Sequence, residues 1–154
     1  MAIAPTLQKY LDQNVTYDVI LHEPTMSSMQ TSEVCRISGD CLAKGIVLCH
    51  DGGYVLAVLP ASHHIRLPEL STQLGKTHLA TEEQIAQLFR DCVPGAIPAI
   101  GSCYALDLIV DESIDRQPEI YIEGGDHATL IHIEKSQFAQ LTKNAQRGRF
   151  SVRI

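Results

Sequence analysis

Tryptophan is absent, and aromatic residues make up only 5% of the 154-residue chain. That is too few for the base-stacking platform of a single-strand nucleic-acid binder. No uncharged apolar run approaches the ~20 residues that a membrane-spanning helix needs. The opening Met1-Ala2-Ile3-Ala4-Pro5 lacks the basic segment and sustained apolar stretch of a secretory signal. A cytoplasmic protein with no membrane partner is therefore expected. The five cysteines, Cys35, Cys41, Cys49, Cys92 and Cys103, are odd in number and include no C-x-x-C pair. They read as reduced thiols packed as small hydrophobes, not as a zinc knuckle or a redox pair.

The familiar catalytic signatures are missing too. The chain has no H-E-x-x-H, no G-x-S-x-G, no Walker loop and no G-x-G-x-x-G. Gly124-Gly125-Asp126-His127 is glycine-rich, but the residues after it favour a strand over the helix that a dinucleotide fingerprint requires. His127 and His132 are five apart on that expected strand, so an odd offset sets them on opposite faces. His63-His64 have no Cys or His partner at ligand spacing. No metal and no cofactor is expected.

What is present suits an ordinary globular domain, with 45% hydrophobic and 19% charged residues. The length predicts a single domain over residues 1–154, able to bury roughly two thirds of its unfolded surface without a disulfide or metal staple. Charge is uneven. Residues 1–134 carry seven basic and eighteen acidic side chains, while 135–154 carry Lys135, Lys143, Arg147, Arg149, Arg153 and no acid. The segment from about 143 to 154 reads as a basic tail. It either lies in solvent or supplies a short contact for phosphate.

The periodicity predicts a helix from Pro5 to Asn14, a strand over Val15–Leu21, and a short helix over Thr31–Ile37 capped by Thr31 or Ser32 and ended by Gly39. Gly45–Cys49 and Tyr54–Leu59 flank His50-Asp51-Gly52-Gly53, a hairpin whose unbroken apolar strands should be covered on both faces. A helix opens at Pro68 and stops at Gly75, and Thr81-Glu82-Glu83-Gln84 is a capping box. Two prolines and two glycines keep Pro94–Gly101 out of any helix. Strands follow at 104–110, 119–123 and 128–133, then a helix over Lys135–Asn144. Helices interrupting a sheet without regular βαβ alternation give an α+β class: a mixed, mostly antiparallel twisted sheet with flanking helices around a small pocket.

Three places can carry chemistry. Lys44 immediately precedes an apolar strand, where it either snorkels off the strand end or holds a cation in a partly desolvated pocket. Gly95–Gly101 is either a plain turn or a bend whose N–H groups cradle an oxyanion. Gly124–His127 is either a β-turn tied by Asp126 or a mount for an imidazole at a strand entrance.

The order of these parts resembles the YbaK/ProX aminoacyl-tRNA deacylases, which are similar to the editing insertion domain of bacterial prolyl-tRNA synthetases. The matching stretches are Leu42–Leu48, Tyr54–Ala61, Leu88–Gly101 and Gly125–Ile133. The resemblance covers about residues 15–142. It implies a mixed sheet around a pocket, and trans-acting hydrolysis of an amino acid wrongly esterified to tRNA, with a synthetase as a further partner. It carries over Lys44, Gly95 and Gly101 as catalytic residues, and His22, Pro98 and His127 as substrate-binding residues. Two departures stand out: Ala99-Ile100 replaces the family's usual proline-aromatic pair, and Cys35-Arg36 replaces small alanines. Such changes also suit a non-catalytic module that binds an amino acid, a nucleotide or a tRNA end in the same pocket. The hydrolysis implied is substrate-assisted and metal-free.

Overall fold

The computed structural model describes residues 3–154. The hairpin is the centre of it. Strands β2 (Leu42–His50) and β3 (Gly53–Pro60) pair antiparallel from Ala43↔Pro60 to His50↔Gly53. Asp51 and Gly52 turn the chain at φ of 44° and 77°, the left-handed pair that a two-residue hairpin turn needs. Both faces of the hairpin are covered, as the unbroken apolar runs require. Ala43, Val47, Leu56 and Val58 belong to one core, and Leu48, Val55, Ala57 and Leu59 to a second.

Around the hairpin lie β1 (Asp18–Leu21), β5 (Thr77–Leu79), β6 (Asp107–Asp111), β7 (Glu119–Glu123), β8 (Thr129–Glu134) and β9 (Gln146–Gly148). The sheet order is β1-β8-β7-β2-β3-β6-β9, with β5 on β2 away from that path. The pairings β1–β8, β7–β8, β2–β3 and β2–β5 are antiparallel, and β2–β7, β3–β6 and β6–β9 are parallel. The mixed α+β sheet with its antiparallel majority is what the pattern of elements implied. A separate ribbon joins β4 (His63–Ile65) to β10 (Ser151–Arg153).

One face of the sheet packs on helices α1 (Pro5–Asn14), α4 (Glu82–Leu88), α5 (Glu112–Asp115) and α6 (Lys135–Leu141), through Leu7, Leu11, Ile85, Ile114, Phe138 and Leu141. The other packs on α2 (Ser28–Cys35) and α3 (Leu67–Leu74), through Cys35 and Leu70. Helix α4 begins with the full capping box at Thr81 and Gln84.

Several boundaries differ from the sequence expectations. Helix α2 starts earlier because Ser27, not Thr31 or Ser32, caps it by accepting from the Gln30 N–H. Thr31 and Ser32 instead face inward, and the helix ends where Arg36 adopts φ 57°, ahead of Gly39. The first strand shortens to Asp18–Leu21, since the Thr16 N–H goes to the Gln137 side chain. A turn of 3-10 helix at Ser102–Tyr104 delays β6 to Asp107, and α6 ends at Leu141. His63-His64 lie in a strand, and His127 lies in the turn before β8. The basic segment is folded, not a tail: it forms β9 and β10. Arg147, Arg149 and Arg153 pair with Asp115, Glu112 and Asp40, so this chain's own carboxylates occupy those guanidinium groups.

Candidate functional site

The sheet forks at its middle. Strand β7 pairs with β2 only at Leu42↔Tyr121 and Ala43↔Ile122, and β5 joins the same strand only from Leu48. Between those ladders, Lys44–Val47 has no strand on that side. Crevices of this kind, where neighbouring strands separate, are where open sheets bind ligands.

The loop from Val93 to Gly101 fills part of the fork. It is anchored by the Val93 N–H on Gly125 O at 2.7 Å and by Ala99 and Ile100, which are 0% and 1% exposed in the main core. The Ala99-Ile100 departure therefore changes packing beneath the loop. Gly45 permits the approach, because a Cβ there would sit 3.4 Å from Pro98 O and 2.8 Å from Leu56 Cδ1. Gly95 has φ 85°, which disfavours any side chain, and a Cβ there would meet the His127 ring at 3.1 Å. Within the loop the Ala96 N–H donates to Val93 O. Among the described residues, the N–H groups of Gly95, Ile97, Ala99 and Ile100 find no acceptor. A cavity of about 250 Å³ runs along the fork, lined by Gly45, Val47, Ala80, Ile85, Gly95 and Ile97.

His127 closes one side. It holds φ 64°, unusual for a residue with a side chain. Asp126 supports the turn by accepting from the Ala128 N–H and the Thr129 hydroxyl. The His127 Nε2 lies 2.6 Å from Pro94 O. A carbonyl only accepts, so Nε2 carries the proton and Nδ1 is left as an acceptor.

Lys44 borders the fork from the opposite face, since it and Gly45 are consecutive on β2. Its Nζ donates to His63 O at 2.7 Å and to Ala61 O at 3.4 Å. No carboxylate pairs with it among the described residues, and burial pushes its pKa below the usual lysine range. The side chain is half-buried.

The remaining expected site residues fall as follows. Pro98 is buried with its carbonyl toward Gly45. Gly101 sits outside the cavity lining: a Cβ there would collide with Leu108 Cδ1 at 2.4 Å, and its carbonyl accepts from the Tyr104 and Leu106 N–H groups. That position serves close packing. His22 extends β1 through its N–H to Ala128 O and lines an open hollow with Ile20, Val34 and Cys35. The structure thus brings Gly95, Pro98 and His127 into one loop cluster, with Lys44 and His22 on the other face of the sheet.

Sequence reasoning missed Glu123. It ends β7, is 2% exposed, and follows Ile122 in the register that sets Ala43 against Ile122. One residue on, Lys44 and Glu123 flank the opening on the same face. Burial pushes the Glu123 carboxyl up to about 7, against the pull of the Thr31 hydroxyl, His127 and the Ser28 hydroxyl. Alternation along β7 sets Glu123 on the face of the exposed Glu119, and only packing from distant segments covers it there.

A model of the aminoacyl-tRNA editing domain matches residues 22–141, which include the fork, the loop and His127. The chain belongs to the aminoacyl-tRNA editing domain family. Solved structures with the same fold include a candidate trans-editing enzyme for prolyl-tRNA synthetase, 20% identical, with TM-score 0.85 over 97% of this chain and 96% of that one. A scaffold used in computational epitope-backbone grafting is 18% identical, with TM-score 0.84 over 98% and 97%. A candidate signal transduction protein from Marinobacter aquaeolei VT8 is 20% identical, with TM-score 0.76 over 96% of this chain but 30% of that one. No curated protein sequence matches significantly. Among the described residues, no group of three or more His, Cys, Asp or Glu side chains could hold a metal ion, and no helix is long and apolar enough to cross a membrane.

Proposed function

We propose that this editing domain acts in trans in the cytoplasm, as a deacylase that hydrolyses an amino acid wrongly esterified to tRNA. The observation that carries the reading is the fork itself. On one face of the opening it leaves Lys44, a cation with no carboxylate partner among the described residues, and on the other face a loop with four uncommitted N–H groups. An aminoacyl ester is already activated by its α-ammonium, and a ribose hydroxyl lies next to the leaving oxygen. Moderate help suffices.

In this reading the Gly95–Ile100 amides stabilise the developing oxyanion, a contribution of about 3–4 kcal/mol per donor in other enzymes. The narrow crevice holds water and the ribose hydroxyl in line with the carbonyl. Lys44 binds phosphate or carbonyl oxygen through the N–H that its two backbone carbonyls leave over. His127 walls the amino-acid side chain, with Gly95 against its ring. The hydrolysis is substrate-assisted and uses no metal and no covalent enzyme intermediate. Selection among amino acids is steric, because one methylene discriminates by only about 1–3 kcal/mol.

A second reading rests on the same lysine. Its ammonium is already met by two carbonyl groups, which also suits a module that binds an aminoacyl or nucleotide end without cleaving it. Incubation with a panel of mischarged tRNAs separates the two. Release of an amino acid above the buffer rate supports the hydrolase, and release from none of them leaves the binding module.

A further inference from the structure

Glu123 is 2% exposed, yet its Oε2 has no hydrogen-bond partner among the described residues. A buried acceptor left unpaired costs stability, and native structures keep few of them. A second orphan lies on the same face. The His22 Nδ1 is 2.7 Å from Glu23 O, which can only accept. The proton therefore resides on Nδ1, and Nε2 is a bare acceptor. That nitrogen is also buried and without a partner.

The sheet register relates the two. Ile20 pairs with Leu130, and Leu130 with Glu123, so these three form one row across β1, β8 and β7. The β2–β7 ladder stops one residue short of this row, at Ala43↔Ile122, so Lys44 follows at the open end of the fork. His22 lies two residues beyond Ile20 with the same parity, and its N–H continues the ladder onto Ala128. A hollow lined by Ile20, His22, Val34 and Cys35 opens on this side; Glu123 is not in its lining, but its carboxylate acts electrostatically on Cys35, which is. Two acceptors, one of them a carboxyl that an adjoining cation would hold ionised, call for a ligand head that carries a positive charge and several protons. They are too few for a metal, since no group of three or more metal-ligating side chains exists among the described residues.

We propose that Glu123 binds the α-ammonium of the esterified amino acid, with His22 Nε2 as a second acceptor on the same side. The inference rests on the deacylase reading and deepens it. Lys44 and Glu123 then form a polar pair matched to the two ends of the substrate, the cation toward phosphate or carbonyl oxygen and the carboxylate toward the amine. The site would distinguish an aminoacyl ester from an ester that lacks the amine.

The test uses Glu123→Gln, which keeps shape and removes the charge, with Glu123→Ala as a second variant. The fastest-cleaved aminoacyl-tRNA is compared with the same tRNA carrying the corresponding α-hydroxy acid. Binding of 3′-alanylamido-3′-deoxyadenosine and its lactoyl counterpart is titrated in parallel. The wild-type chain should prefer the amine by tenfold or more in both assays, and Glu123→Gln should reduce that preference to within about twofold. An unchanged preference in Glu123→Gln, with cleavage intact, overturns the role of Glu123 and leaves the deacylase standing. A wild-type preference in binding that Glu123→Gln removes, with no cleavage of any tRNA, upholds the amine site and overturns the deacylase. A chain that neither cleaves nor binds overturns both.

Discussion

The two halves of the sheet are built to different rules. In the half formed by β3, β6 and β9, the polar groups of the strands are matched, although Glu69 Oε2 on the helix packed against them has no partner among the described residues. Asp111, 4% exposed, accepts from the Ser113 N–H, the Ser113 hydroxyl and the Phe150 N–H. Burial pushes its carboxyl up, but those donors outweigh it and hold it below the usual carboxylate range. Arg147 grips both oxygens of Asp115 at 2.8 and 3.2 Å and spends its remaining donors on Thr142 and Ala145. In the half formed by β1, β8, β7 and the β2 edge, groups are left over. These are the loop amides, Glu123 Oε2, His22 Nε2, and a histidine at φ 64°. Left-over donors and acceptors are poor stability and good recognition. Both halves contribute apolar residues to the main core; the difference lies in their polar groups, matched in the first half and left over where the proposed site lies.

Substitutions should separate the halves. Lys44→Ala should lower the deacylation rate by 100-fold or more while the melting temperature moves little, measured by single-turnover cleavage and thermal unfolding. A large fall in melting temperature would instead make Lys44 a tie between β2 and the His63 carbonyl. Asp111→Ala should do the reverse. The loss of three buried hydrogen bonds should cost about 2–4 kcal/mol and lower the melting temperature by several degrees, with cleavage per folded molecule unchanged. Gly95→Ala should act on both, costing about 1–2 kcal/mol for a side chain at positive φ and roughly tenfold in rate as the new Cβ presses on His127.

A smaller effect concerns acidity. Glu123 has its pKa raised in the fold from 4.5 to about 7, so the folded chain holds this proton where the unfolded chain has lost it. Its contribution to stability is full below about pH 4.5 and is lost as pH rises toward 7. Charged or titratable neighbours acting on it are Cys35, Asp126 and His127. Glu123→Gln should flatten the unfolding free energy between those pH values. An unchanged slope would mean that the carboxyl is solvated. The smallest effect should come from Arg149→Ala, whose guanidinium is exposed and paired with Glu112. No resolvable shift in melting temperature is expected.

Much of the matched half was legible in the sequence. Unbroken apolar runs mark the hairpin, and Thr81 and Gln84 mark a helix start, because each is a local pattern with one structural outcome. The C-terminal strands were not legible. Arg147, Arg149 and Arg153 look like a solvated run until Asp115, Glu112 and Asp40 arrive from distant segments. In the forked half, the loop over Gly95–Ile100 could be placed from its glycines and prolines, and Lys44 from its odd position before a strand. Which face Lys44 takes depends on strand parity, and the neighbour it gains depends on a two-residue parallel ladder between β2 and β7. Such a ladder leaves no trace in local pattern. Glu123 escaped for the same reason.

The most direct test of the account is the rate of amino-acid release from a panel of mischarged tRNAs by the wild-type chain and by Lys44→Ala. Release from at least one tRNA should run well above the buffer rate and be lost in Lys44→Ala at unchanged melting temperature. Equal release by both proteins, or release from none of the tRNAs, would contradict it.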